Sequence, residues 1–262
     1  MSELPGVLES ESERESWACD RVCDEHAREA KLIQASLVPL AGLRHETAEI
    51  AFRFIPLDDV GGDFVDFFRL PDGSIGLYLG DVVGKGLPAA MYGALVTGVM
   101  RGIHKTGTDT GSVLTSLNQR LLQRPIQGRF CSTLYAVFNP ISRELTFSNA
   151  GMPLPLLASG GVCRPLGEGG LPSGMFPGAA YERHVVHLQP GDCVLFASDG
   201  LYESFNREGV EFCDACMEQA WAQCNSKPAS ESLDFVFGHR MAFSEGIPPR
   251  DDITAVSLKV LP

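Results

Sequence analysis

At 262 residues, with 44% hydrophobic and 21% charged residues, the chain has the size and composition of one globular domain with a substantial core. Its formal net charge of −12 argues against nucleic acid or an anionic membrane as the main partner. An acidic protein that acts on phosphate needs something cationic in its site, and a bound metal is the obvious candidate.

In chain order, residues 1–17 are rich in Glu and Ser and are expected to be disordered. This acidic start does not read as a signal peptide, and no run of 18 apolar residues follows, so a cytoplasmic location is expected. A linker or regulatory helix is expected over residues 18–40. There Cys23, Ala27, Ala30, Ile33/Gln34 and Leu37 recur at helical spacing until Pro39 stops the pattern. Its apolar stripe suits docking on the core and pairing with a second copy equally well. With about 17 residues ahead of it, no PAS or GAF sensor is expected in front of this helix, and a separate activator or another means of control is.

The body opens with a strand pattern, AEIAFRFIP (residues 48–56). FVDFFRL and IGLYLGD then flank Pro71-Asp72-Gly73-Ser74, which is hairpin chemistry, and FCSTLYAVF and RELTFSNA flank Asn139-Pro140-Ile141-Ser142. A third group, HVVHLQ and CVLFASD, is linked by Pro190-Gly191-Asp192 and reads as another antiparallel pair. Helical patterns fall at about 87–104, 110–123, 208–224 and 229–243, and ITAVSLKV is a last strand. Hairpins with helices between them predict an α+β fold of largely antiparallel sheets covered by helices.

Three motif readings fail. A phosphate-cradling loop needs G-x-x-x-x-G-K-[ST]. In Gly80-Asp81-Val82-Val83-Gly84-Lys85-Gly86 the spacing is one residue short and no hydroxyl follows Lys85. Cys213-x-x-Cys216 with Cys224 suggests a metal or redox site, but the three lie in a helix-like run without a fourth ligand at zinc spacing. They are read as buried thiols acting as small apolar residues, and nothing calls for disulfides. His184 and His187 lie three apart in a strand and point to opposite faces, so no Ser-His-Asp or Cys-His system can be argued.

The aspartates form a better pattern. Gly61-Gly62-Asp63, Gly80-Asp81, Ser198-Asp199-Gly200 and Asp251-Asp252-Ile253-Thr254 place carboxylates at strand ends and turns. Asp81 and Asp199 follow the apolar runs IGLYLG and CVLFAS, which puts each at the mouth of a sheet. Mg²⁺ and Mn²⁺ prefer such oxygen ligands and keep several waters. Taken singly, each Asp-Gly is ordinary turn chemistry, as Asp72-Gly73 shows.

Val60-Gly61-Gly62-Asp63-Phe64, the stretch from Gly80 to Ala90, Ser198-Asp199-Gly200-Leu201-Tyr202-Glu203 and Asp251-Asp252-Ile253-Thr254 resemble the motifs of one family. It is the bacterial SpoIIE/RsbU-type serine phosphatases of the PPM (PP2C-like) superfamily. The similarity begins in the linker helix at Ala30-Lys31-Leu32-Ile33-Gln34 and places the phosphatase domain at residues 45–262. The resemblance implies an α-β-β-α sandwich of two antiparallel sheets flanked by helices, with a centre of two or more Mn²⁺ or Mg²⁺ ions. By motif, Asp81 bridges the ions, the Val82 carbonyl completes one sphere, and Asp199 and Asp251 bind the second ion. Asp63 sits at the edge and Asp252 supports Asp251. The implied activity is hydrolysis of a serine/threonine phosphoprotein, specifically a phosphorylated STAS-domain anti-anti-sigma factor in a partner-switching pathway. The implied control is through the linker helix, by an activator protein or by homodimerisation. A catalytically weak module that sequesters a partner is the alternative. Where eukaryotic members carry a general-acid His, this chain has Val83. Arg53 and Lys85 are the candidate substrate-binding cations.

Overall fold

The computed structural model describes residues 25–104 and 109–262. The expected disordered segment and the first turns of the expected linker helix lie outside the described residues, and that helix is described over residues 25–37 (α1). Four further helices are α2 (Gly86–Ile103), α3 (Thr110–Gln123), α4 (Asp214–Trp221) and α5 (Ala229–Ser244). The strands are β1 (Leu43–Arg44), β2 (Ala48–Ile55), β3 (Phe64–Arg69), β4 (Ile75–Val82), β5 (Cys131–Asn139) and β6 (Glu144–Ala150). They continue as β7 (Leu156–Ser159), β8 (Val162–Pro165), β9 (His184–His187), β10 (Cys193–Ala197) and β11 (Ile253–Val260).

Two antiparallel sheets result, ordered β1-β2-β11-β10-β7-β8 and β3-β4-β5-β6-β9. Successive residues of a strand face opposite sides of its sheet, so each strand feeds two cores. In β4, Ile75, Leu77 and Leu79 pack between the sheets with Phe138, Phe147, Phe196 and Val256. Tyr78 and Val82 face outward against Tyr92, Val96 and Met100 of α2 and Leu114 and Leu117 of α3. Across the sandwich, Leu195 and Ala255 face Met217 and Trp221 of α4 and Leu233 and Val236 of α5. Each such large side chain, fully buried, contributes about 1.5–3 kcal/mol. The layers are therefore helices, sheet, sheet, helices, as the resemblance implies. Among the described residues no helix is long and apolar enough to cross a membrane.

Two expectations are corrected. The strands around Pro190-Gly191-Asp192 do not pair with each other: β9 pairs with β6, whereas β10 pairs with β7 and β11. The turn is tight, with the Asp192 carboxylate accepting the Gln189 amide at 2.8 Å, yet it carries the chain from one sheet to the other. It is anchored on β11, because Gly191 N–H donates to the Val260 carbonyl and Val260 N–H donates to that of Asp192. Turn chemistry fixes a local reversal and leaves the choice of sheet to packing. The helix expected over 208–224 begins only at Asp214. Before it, the Asn206 side chain accepts the amides of Glu208 and Val210 at 3.0 and 2.9 Å, a local turn that competes with a helical one.

Candidate metal centre

The strand register places the acidic residues. In β4 the inward positions are 75, 77 and 79, and the next is Asp81. Val65 and Phe67 face inward in β3, so Asp63 continues that face backward. Val194 and Phe196 face inward in β10 and lead to Ser198, while Val256 and Leu258 in β11 lead back to Thr254 and Asp252. Period-two alternation thus delivers Asp63, Asp81, Ser198, Asp252 and Thr254 to one end of the space between the sheets. Asp199 opens the 3-10 turn Asp199–Leu201, directly after Ser198.

Each carboxylate has a distinct environment. Asp252 is buried, and its Oδ1 accepts the amide of Leu57 at 2.7 Å. Its Oδ2 accepts those of Gly62 at 2.6 Å and Asp63 at 3.4 Å. A side chain at Gly61 would run into this carboxylate, so only glycine fits there. Asp252 therefore holds the loop that carries Asp63, which sequence reasoning did not foresee.

Asp63 is 3% exposed, and its Oδ2 accepts the Ser198 hydroxyl at 2.8 Å. Its Oδ1 is buried without a hydrogen-bond partner. Burial first, and then the Asp252 and Asp199 charges, push the Asp63 carboxyl up to about 8 against the opposing effect of Thr254 and Ser198. Asp81 is pushed to about 9 by burial, followed by the charges of Asp63, Asp199, Asp251 and Asp252. Asp199 is raised as well, by burial and then by Asp251.

Lys85 reaches Asp251, with Nζ 2.9 Å from Oδ2, and also donates to the Arg250 carbonyl. The Asp251 carboxylate holds the Lys85 ammonium above its usual range. Arg53 is committed elsewhere: its guanidinium pairs with Asp234 of α5 at 2.5 Å and donates to the Phe52 carbonyl. The structure thus brings Lys85 to the carboxylates and turns Arg53 toward a helix.

An orphaned buried carboxylate oxygen beside several mutually repelling carboxyl groups is the donor set that hard divalent cations fit. Among the described residues no three acidic, imidazole or thiol groups close into a ready-made cage. Mg²⁺ and Mn²⁺ do not require one, because they are held by one or two carboxylates with water completing the shell.

Three neighbours escaped sequence reasoning. Gln34 of α1 donates to the Gly61 carbonyl at 2.7 Å and accepts the Gly61 amide at 3.1 Å, joining the linker helix to the Asp63 loop. Arg129 donates to the Val83 carbonyl at 2.5 Å, just after Asp81. Glu203, whose amide donates to the Asp199 carbonyl at 2.8 Å, has its carboxyl raised by burial and then by Asp199 and Asp251. Gln34 and Glu203 had a sequence signal, since they close the Ala30–Gln34 and Ser198–Glu203 motifs, and Arg129 had none.

A sequence profile of the SpoIIE family, described as Stage II sporulation protein E, matches residues 71–261, which contain Asp81, Asp199, Asp251 and Asp252. The chain belongs to the SpoIIE family. It is similar to the phosphoserine phosphatase RsbU of Bacillus subtilis (strain 168), with 27% identity over 179 residues. That match covers 68% of this chain and 53% of RsbU, so the chain spans about half the length of that relative. The SiaA-PP2C domain of Pseudomonas aeruginosa shares the fold with a TM-score of 0.81 and 21% identity, covering 92% of this chain and 98% of that domain. A solved PP2C phosphatase domain of SpoIIE from Bacillus subtilis gives a TM-score of 0.72 at 18% identity, over 83% of this chain and 64% of that one. The sandwich of this SpoIIE-family chain is thus a PP2C fold.

Proposed function

We propose that the chain is a metal-dependent protein serine/threonine phosphatase whose acidic end holds two divalent cations, Mn²⁺ or Mg²⁺. The observation that carries this reading is the crowding around Asp81, whose carboxyl is pushed to about 9 by burial and by four other aspartates. Such a cluster repels itself when ionised and is relieved by cations. Asp81 and the Val82 carbonyl would hold the ions together with Asp199 and Asp251, and Asp63 would serve at the edge of the site. When bound, the ions stabilise charge on the phosphoryl oxygens and activate water for in-line attack.

The chain's own residues prepare that site. The Ser198 hydroxyl orients Asp63 and also accepts the Thr254 amide at 2.9 Å, so one side chain joins β11 to the Asp63 loop. Val83 has no proton to give a leaving group, and Arg129 brings positive charge to its carbonyl. The substrate we propose is a phosphorylated STAS-domain protein of a partner-switching pathway. The phosphoserine activity in the name of RsbU supports a phosphoserine substrate. The Gln34–Gly61 pair makes α1 the natural seat of control, whether by an activator protein or by a second copy.

The test is hydrolysis of p-nitrophenyl phosphate and of a phospho-STAS protein with Mn²⁺, comparing wild type with Asp81→Asn and Asp199→Asn. Turnover by wild type that chelation abolishes, and that both variants lose, is the expected result. Absence of turnover even with an activator present overturns the reading and leaves a binding module.

A further inference from the structure

Among the described residues the cysteines separate into two kinds. Cys131, Cys193 and Cys224 are buried, and burial pushes their thiols up to about 12, 11 and 12. Cys163 is partly buried and raised to about 12 for the same reason. These four are inert at neutral pH. Cys213 and Cys216 differ. Cys213 is exposed, Cys216 is partly exposed, and their sulfurs lie 3.3 Å apart. The reading of this pair as buried apolar thiols is therefore corrected, because the helix starts at Asp214 and leaves Cys213 outside it as the N-cap residue.

We propose that Cys213 and Cys216 form a redox-active dithiol that exchanges with low-molecular-weight disulfides. The geometry is that of a nucleophile with its resolving partner. The pair is one turn apart at the start of α4, a spacing that suits the Cα separation of about 4.4–6.8 Å found in disulfides. The first turn is fixed, since the amides of Cys216 and Met217 both donate to the Cys213 carbonyl, at 2.9 and 3.2 Å. The backbone and then the thiol of Cys216 hold the Cys213 thiol below its usual range, whereas the Cys216 thiol is raised by its contact with the Cys213 sulfur. Cys216 leans on the core that α4 and α5 share, which leaves Cys213 as the outward sulfur.

The reaction balances without a further reagent. The Cys213 thiolate attacks one sulfur of a disulfide RSSR, forming a mixed disulfide and releasing the first RSH after protonation. Cys216 then loses its proton and attacks the Cys213 sulfur, which forms the Cys213–Cys216 bond and expels the second RSH. The two protein thiols are oxidised by two electrons and RSSR is reduced by two. Phe212, next to Cys213, donates its amide to the Ser204 carbonyl at 2.7 Å, so the pair sits on the segment that leads away from Asp199.

Glutathione redox buffers of increasing oxidised fraction, applied to the full chain under native conditions and followed by acid quench, alkylation and peptide mapping, test this. The expected product is a Cys213–Cys216 bond, with a mass loss of about 2 Da, formed before the buried cysteines are modified. Cys216→Ser should accumulate glutathione on Cys213. Cys213→Ser should slow modification of Cys216 by about tenfold or more. The proposal is overturned if the wild-type pair stays alkylatable in the most oxidising buffer, or if only a lasting glutathione adduct forms.

Discussion

Asp252 binds the amide of Gly62 at 2.6 Å from the other sheet of the sandwich, Asp252 lying just before β11 and Gly62 just before β3. This bond, with those to Leu57 and Asp63, fixes the loop on which Asp63 sits. Asp252→Asn turns a side-chain NH₂ toward backbone N–H donors, and the unmatched donors cost about 1–3 kcal/mol. Urea unfolding should show that loss, and Mn²⁺ titration should show weaker binding. Unchanged Mn²⁺ affinity in a destabilised variant would separate the loop from the site.

In chelated protein, stability should fall as pH rises. Asp63 and Asp81 have folded values of about 8 and 9, above the ordinary carboxylate value near 3.8, with burial the first cause in both. A raised value means that the folded state binds the proton more tightly. The stability it brings is complete below pH 4 and is lost as pH climbs through 8 to 9. Thermal melts in chelator at pH 5 and pH 9 should show the decline. Asp81→Asn should flatten it and raise the high-pH melting temperature by about 2–4 °C per kcal/mol regained. Saturating Mn²⁺ should remove the slope in wild type and leave the variant's shallower residual slope, from Asp63, unchanged.

Lys85→Gln discriminates two roles for that lysine. Its pair with Asp251 is half exposed, so stability should change by about 1 kcal/mol or less. If Lys85 acts on Asp251, its removal frees a carboxylate and tightens Mn²⁺ binding by up to about fivefold, the factor matching a pair of that strength. Calorimetric titration reads this directly. A raised KM with unchanged Mn²⁺ affinity would assign Lys85 to the substrate instead.

Gln34→Ala removes the two hydrogen bonds between α1 and Gly61. At about 1 kcal/mol for each net bond, exchange of the amides at residues 59–63 should accelerate by about tenfold or more. Global stability should move less, because the cores lie elsewhere. Hydrogen exchange that is unaltered at 59–63 would deny α1 a hold on the Asp63 loop.

Much of the fold was legible in the chain because its signals are local. Pro71-Asp72-Gly73-Ser74 marked the β3–β4 hairpin, and helical spacing placed α2, α3 and α5 within a residue or so. The aspartates stood out because they end an apolar strand run, sit beside glycine or, as Asp251-Asp252, form an acidic pair. What stayed hidden depends on partners distant in sequence. The turn at Pro190-Gly191-Asp192 looked like a hairpin, and only packing assigned its strands to different sheets. Asp252 looked like a helper of Asp251 until the loop it binds, some 190 residues earlier, lay against it.

By itself, then, the sequence determined the alternation that makes two-faced strands, the helices that cover them and the set of carboxylates available for chemistry. Those properties follow from the period of each element and from residue type. Tertiary structure decided the rest: which carboxylates are crowded, which holds a loop, which cation meets Asp251 and which cysteines reach solvent. Charge repulsion, burial and hydrogen-bond partnership are set by distances between segments far apart in the chain, and only the closed sandwich fixes those distances.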